Sequence, residues 1–185
     1  MSAKTEQECR HKMDATMALL QREMGGIRTG RASSGLLDTV SADYYGTMTP
    51  IRQMATVSTP EPRTIVIQPW DVSAVPAIEK AIKASDLGLT PQNDGKVIRL
   101  NLPPLTEERR KEMGKMVRKI GEENKIALRN VRRESMDAVK KKLKNKEISE
   151  DEEKSTEARI QKLTDEYVVK VDAIVANKEK EIMEG

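Results

Sequence analysis

Three stretches of the chain repeat apolar side chains at alternating spacings of three and four, the period of a helix with one buried face. In the first, Cys9, Met13, Met17, Leu20, Met24 and Ile27 share that face, and Thr5 with Glu8 reads as a capping box, so the spacing predicts a helix ending near Gly30. In the second, from Glu107 to Lys146, the apolar face is Met113, Val117, Ile120, Ala127, Val131 and Ala138. Thr106 is placed to cap it, with Glu107 and Glu108 against the positive end of its dipole. The third follows a capping box of Ser149 and Glu152 and carries Ile160, Leu163, Tyr167, Val171, Ile174 and Ile182. Glycine inside a helix costs roughly 1 kcal/mol against alanine. Gly25 and Gly26 read as tolerated defects, with close packing as the alternative; Gly114 and Gly121 read as tolerated variation, with a local bend as the alternative.

Between the first two helices the period changes. Val40 to Gly46, Ala55 to Ser58, Arg63 to Gln68 and Lys96 to Leu102 are β-favouring runs, parted by turn signals at Gly46-Thr47, Pro60 to Pro62 and Asn93 to Gly95. Val75, Ile78, Ala81 and Ile82 predict one short helix among them. Residues 31–104 also hold all eight prolines and balance 7 basic against 7 acidic side chains. The expected architecture is α+β: an elongated antiparallel three-helix bundle built from residues 1–30 and 105–185, with a small α+β domain, residues 31–104, inserted between two of its helices. The short link from Lys146 to Ser149 suits a helix folding back on its own chain, which favours a monomer over a coiled-coil dimer.

Charge separates the second helix from the rest. Residues 107–146 carry 15 Lys and Arg against 7 Asp and Glu, whereas the whole chain has a net charge of +3. Lys111, Lys115, Arg118, Lys125, Arg129, Arg133 and Lys140 fall opposite the apolar face, and Arg132 lies one step round, so that Arg129 to Arg133 places three guanidinium groups on one patch. Such a face suits phosphate. It equally suits a solvated surface of mixed-sign pairs, since Glu122, Glu134 and Asp137 lie nearby, and spacing alone leaves both readings open.

Other chemistry is sparse. Trp70, Tyr44, Tyr45 and Tyr167 are the only aromatic residues, too few for a base-stacking platform, so any nucleic-acid binding has to work through phosphate, sugar and groove shape. Cys9 and His11 are the sole cysteine and histidine, two ligands where a structural zinc needs four, and neither a P-loop nor a dinucleotide fingerprint is present. No catalysis, cofactor or metal is expected. The polar N-terminus and the absence of any apolar run near 18 residues point to the cytoplasm and away from membranes. Trp70, Cys9 and His11 have no assignable role.

Several strings are long enough to identify a family: RTGRAS from Arg28, DYYGT from Asp43, PIRQ from Pro50, DLGLTP from Asp86, LPPLTEERRKE from Leu102, RNVRR from Arg129 and KEISED from Lys146. In this order and over essentially the whole length, the chain resembles the ribosome recycling factors. The resemblance implies an L-shaped molecule, a three-helix bundle carrying a small β/α/β domain on a flexible hinge. It implies a non-enzymatic factor that binds the post-termination 70S ribosome through large-subunit rRNA and, with elongation factor G and GTP hydrolysis, separates the subunits. By matching position Arg129, Arg132 and Arg133 fall in the family's RNA-contacting cluster. Lys125 and Arg118 on the same basic face, and Arg28 beside the hinge, complete the RNA-binding candidates. Gly30, Arg31, Pro103, Pro104 and Leu105 map to the hinge, and the small domain is where elongation factor G is expected to press. The contrasting reading is a helical adaptor whose basic face engages an acidic protein.

Overall fold

The computed structural model describes residues 2–184. In chain order it contains α1 (Ser2–Gly25), β1 (Ser41–Tyr44), β2 (Thr47–Pro50), β3 (Ala55–Glu61), β4 (Thr64–Pro69), α2 (Val75–Ala84), β5 (Pro91–Asn93), β6 (Ile98–Asn101), α3 (Glu107–Lys144) and α4 (Glu150–Glu184), with three short 3-10 turns between α1 and α2. By packing, these fall into two compact units, one of residues 1–21 and 116–177 and the other of residues 22–115 and 178–185.

The first unit is helical. Cys9, Met13 and Leu20 of α1, Val117, Leu128 and Val139 of α3, and Ile160, Leu163, Tyr167 and Val171 of α4 are all buried. Polar contacts fix the helix directions. Lys142 Nζ of α3 donates to the Thr5 hydroxyl of α1 at 2.5 Å, Lys12 pairs with Glu134 at 2.9 Å, and the Asn124 amide donates to the Thr16 carbonyl at 2.9 Å. Residue numbers rise on α1 as they fall on α3, so these two helices are antiparallel. Arg159 of α4 meets Glu6 and Tyr167 meets Asp14, both 153 positions apart, so α4 runs parallel to α1. The reversal after α3 is closed by Lys146 N–H to the Leu143 carbonyl at 2.8 Å and Glu147 N–H to the Lys142 carbonyl at 2.9 Å, with Lys146 at φ +62°.

Two of the predicted helix ends hold and two do not. The Thr106 hydroxyl accepts from Arg109 N–H at 3.1 Å and the Ser149 hydroxyl from Glu152 N–H at 3.2 Å, as caps should. Thr5, by contrast, is no cap. It lies inside α1, 3% exposed, its hydroxyl turned to Lys142. The same helix stops at Gly25, not Gly30; Ile27 stays buried beyond the end because its N–H turns back to the Met24 carbonyl at 3.2 Å, which prolongs the apolar spacing without prolonging the helix. Gly25 and Gly26 fit the reading of tolerated defects, since a Cβ on either would meet nothing nearer than 3.5 Å; the close approach is at Gly35, where a Cβ would lie 3.3 Å from the Gly25 carbonyl oxygen.

In the second unit a four-stranded antiparallel sheet of order β3-β4-β6-β5 and the separate β1-β2 hairpin are joined by one core that runs from Leu36 to Leu102. Ile65 and Ile67 of β4, paired with Leu100 and Ile98 of β6, meet Ile78 and Ile82 of α2 in that core, all fully buried. The predicted strands are present, and β2 and β5 are additional. The β1-β2 turn falls on Tyr45 and Gly46, both at positive φ, with Gly46 N–H capped by the Asp43 carboxylate at 2.8 Å.

One buried contact gives the helical unit a pH dependence. Burial, and then the hydrogen bond that Tyr167 donates to Asp14, push the Tyr167 hydroxyl up to about 12. The folded chain therefore holds this proton more tightly than the unfolded chain, and the resulting stability is complete below pH 10 and lost as pH rises through about 12. Relative to Tyr167→Phe, the parent should lose up to about 2 kcal/mol of unfolding free energy between pH 9 and pH 12, measured by urea titration at each pH.

Candidate nucleic-acid interface

The face that α3 buries is rotated by roughly 45° from the one its apolar residues define, at 100° per residue. Its centre runs through Met113, Val117, Gly121, Asn124, Leu128, Ser135 and Val139, whereas Ile120, Ala127 and Val131 sit half-buried at one edge and Ala138 is exposed. Glycine, asparagine and serine hold buried positions that hydrophobic spacing does not count. Gly121 is no tolerated interruption: a Cβ there would lie 2.5 Å from Val175 Cγ2 of α4.

The rotation sorts the basic residues. Arg129 and Arg133, one turn apart, are exposed, and no hydrogen bond or ion pair to either is found among the described residues. Two of the three nearby acids are engaged elsewhere, Glu134 with Lys12 at 2.9 Å and Glu122 with Lys125 at 3.3 Å, while the third, Asp137, is exposed one turn from Arg133. Arg118 is also exposed. Nearer the start of α3, Lys111 and Arg109 pair within the helix with Glu107 and Glu112.

Lys125 and Arg132 lie on the flank that faces α4, not on the open face. Lys125 is bound by Asp172 and Glu122, and the Asp172 hydrogen bond, ahead of that from Glu122, holds its ammonium above the usual lysine range. Arg132 is half-buried, and its Nη1 donates to Gln161 Oε1 of α4 at 3.1 Å. Gln161 in turn donates to the Asp165 carboxylate at 2.9 Å. Neither α4 partner was legible beforehand, because both are polar residues outside the apolar seam.

Arg28 is placed differently again. Its Nη1 and Nη2 donate to the carbonyls of Leu87 and Pro103 at 3.3 and 3.4 Å, its Nε is buried without a partner, and burial followed by the nearby Arg109 lowers its pKa. It straps together the two irregular segments that flank the sheet unit. Along those segments Gly30 adopts φ +85°, Arg31, Pro103 and Pro104 are exposed, and Leu105 is buried. Residues 26–33 and 102–106 contain no helix or strand, and each is tied to the sheet unit by a backbone bond, Ala32 N–H to the Pro62 carbonyl and Leu102 N–H to the Arg63 carbonyl.

Comparison with known proteins gives this geometry a context. The family model described as ribosome recycling factor matches residues 20–183. The ribosome-recycling factor of Geobacillus kaustophilus is 54% identical over 184 residues, covering 100% of both chains, and that of Nitratidesulfovibrio vulgaris is 55% identical over 177 residues, covering 96% of this chain and 95% of the other. A solution structure of a ribosome recycling factor superposes with a TM-score of 0.77 at 44% identity, covering 100% of this chain and 98% of that one. A further chain, covering 98% of both at 47% identity with a TM-score of 0.68, comes from models of the T. thermophilus ribosome recycling factor and the E. coli elongation factor G bound to the E. coli post-termination complex. With near-complete coverage at this identity, and an α+β fold in common, the chain belongs to the ribosome recycling factor family.

Proposed function

We propose that this protein binds the post-termination 70S ribosome through large-subunit rRNA and, with elongation factor G and GTP, parts the subunits for a new round of translation. The observation that carries the RNA contact is the pair Arg129 and Arg133, two exposed guanidinium groups to which no hydrogen bond or ion pair is found among the described residues. Charge left uncompensated on a regular helix is suited to the phosphates of a folded RNA. Arg132 and Arg118 extend that surface. Lys125 and Arg28 act instead as supports, one held by carboxylates and the other by backbone carbonyls.

The protein works by binding and displacement and not as an enzyme, a reading that rests on its membership of the ribosome recycling factor family. We place the domain boundary at residues 30 and 105, within the packing unit that holds residues 22–115, where Gly30, Arg31, Pro103, Pro104 and Leu105 form a hinge of irregular backbone. Elongation factor G presses on the small domain and the hinge absorbs the change. No helix among the described residues is long and apolar enough to cross a membrane. The site of action is the cytoplasm, and the protein acts as a monomer.

The test is co-sedimentation with 70S ribosomes and with separated subunits, with and without elongation factor G and GTP. Binding should be strong at low salt and fall steeply as salt rises, each neutralised phosphate adding about 0.9 to the slope of log K against log salt on a duplex. Splitting should require both elongation factor G and GTP. A protein that fails to sediment with ribosomes at low salt is an adaptor of another kind.

A further inference from the structure

Two cations on the same flank of α3 are held by α4 in chemically opposite ways. Lys125 meets the carboxylate of Asp172, an acceptor that cancels its charge. Arg132 meets the side-chain oxygen of Gln161, a neutral acceptor that fixes its position and leaves the charge intact. The difference bears on RNA binding, because a cation already neutralised inside the protein has to give up its partner before it can serve a phosphate.

The orientation of the Gln161 amide is determined by what surrounds it. A guanidinium donates hydrogen bonds and cannot accept them, and an ionised carboxylate accepts and cannot donate. With Arg132 Nη1 at 3.1 Å on one side and the Asp165 carboxylate at 2.9 Å on the other, the amide oxygen faces the arginine and the amide nitrogen faces the acid. Gln161 and Asp165 are one turn apart on α4, so a regular helix supplies both parts of the relay. Arg132 has five N–H donors, and the relay engages one of them at Nη1.

We propose that Gln161, oriented by Asp165, is a positioning residue that holds the Arg132 guanidinium at the edge of the α3 face without neutralising it, and so prepares it for a phosphate or base edge of large-subunit rRNA. This rests on the RNA-binding reading of Arg132 given above. An acceptor of glutamine's size is required, since a shorter side chain would leave the long arginine stem free to sample other rotamers, and ordering it on binding would then carry an entropic cost. A neutral acceptor is required as well. Glutamate at position 161 would keep the geometry and form an ion pair, the arrangement seen at Lys125.

The decisive variant is therefore Gln161→Glu, with Gln161→Leu as a second that removes the acceptor without adding charge. Both are measured beside Arg132→Ala and the doubles of each with Arg132→Ala, by binding of the full-length protein to 70S ribosomes across a salt series, with thermal melting of each protein. Gln161→Glu should melt at or above the parent temperature yet bind roughly tenfold more weakly, with a salt slope smaller by about 0.9, because one cation no longer displaces counterions. Gln161→Leu should bind several-fold more weakly with the parent salt slope. In the Arg132→Ala background both effects should vanish. The proposal is overturned if Arg132→Ala weakens binding while Gln161→Glu binds within twofold of the parent, or if Gln161→Glu loses as much affinity without Arg132 as with it. If Arg132→Ala itself binds like the parent, the RNA-binding reading of Arg132 fails, and the role of Gln161 fails with it.

Discussion

Replacing Arg132 with glutamate should weaken binding to 70S ribosomes about 100-fold, since the change removes a favourable contact and puts a negative charge where the RNA presents its own. The side chain is half-buried at the margin between α3 and α4, so the fold should notice, but modestly. Losing the hydrogen bond to Gln161 should cost about 1 kcal/mol, a few degrees of melting temperature for a chain of this size. Arg132→Lys should be partly defective with little change in melting, because an ammonium is a point charge and cannot fork onto two oxygens or a base edge. Ribosome sedimentation and thermal melting of the parent and both variants provide the check. Parent-like affinity in a folded Arg132→Glu protein would place the RNA contact elsewhere on the molecule.

The second large effect concerns stability. Gly121→Leu should destabilise the helical unit by about 3 kcal/mol, seen as a lower urea midpoint with an unchanged slope. In an exposed helix, replacing glycine by alanine should stabilise by roughly 1 kcal/mol. At position 121 the sign is reversed by packing. The added Cβ would come within 2.5 Å of Val175 Cγ2, and valine on a helix is stiff at χ1, so it cannot simply swing aside. Even Gly121→Ala should therefore destabilise, by about 1 kcal/mol, and Val175→Ala in the same chain should restore most of the loss. A Gly121→Ala protein that melts above the parent would show that α4 moves away at no cost.

How much of this was legible in the sequence depended on whether the governing interaction is local. Thr106 and Ser149 could be recognised as caps because a cap is made by a hydroxyl and an N–H three residues apart. Thr5 carried the same signature and was misread, for what occupies its hydroxyl is Lys142, 137 positions away. The seams of α1 and α4 were read correctly where large apolar residues form them: Met13, Leu20, Ile160 and Val171 are fully buried. Strands β2 and β5 had no comparable signal. Thr47 to Pro50 is exposed or half-buried throughout, and Pro91 to Asn93 buries a single residue, so their extended form comes from the partner strand and not from their own pattern.

The chain's own order of residues determined that there would be three amphipathic helices, a proline-rich α+β insertion between the first and second, a concentration of positive charge on the second, and motifs diagnostic of one family. Those are properties of composition and spacing, and they survive whatever the helices pack against. Tertiary structure alone decided which angle of α3 turns inward. That angle puts Gly121 against Val175 of α4, the Asn124 amide on the Thr16 carbonyl of α1, and Ser135 in the buried face, small or polar residues that a count of apolar side chains passes over. A rotation of that size is enough to carry Lys125 and Arg132 from the open face to the α4 flank and to leave Arg129 and Arg133 outside. Their different fates, neutralised by Asp172, held by Gln161 or left without a partner among the described residues, follow from side chains on another helix.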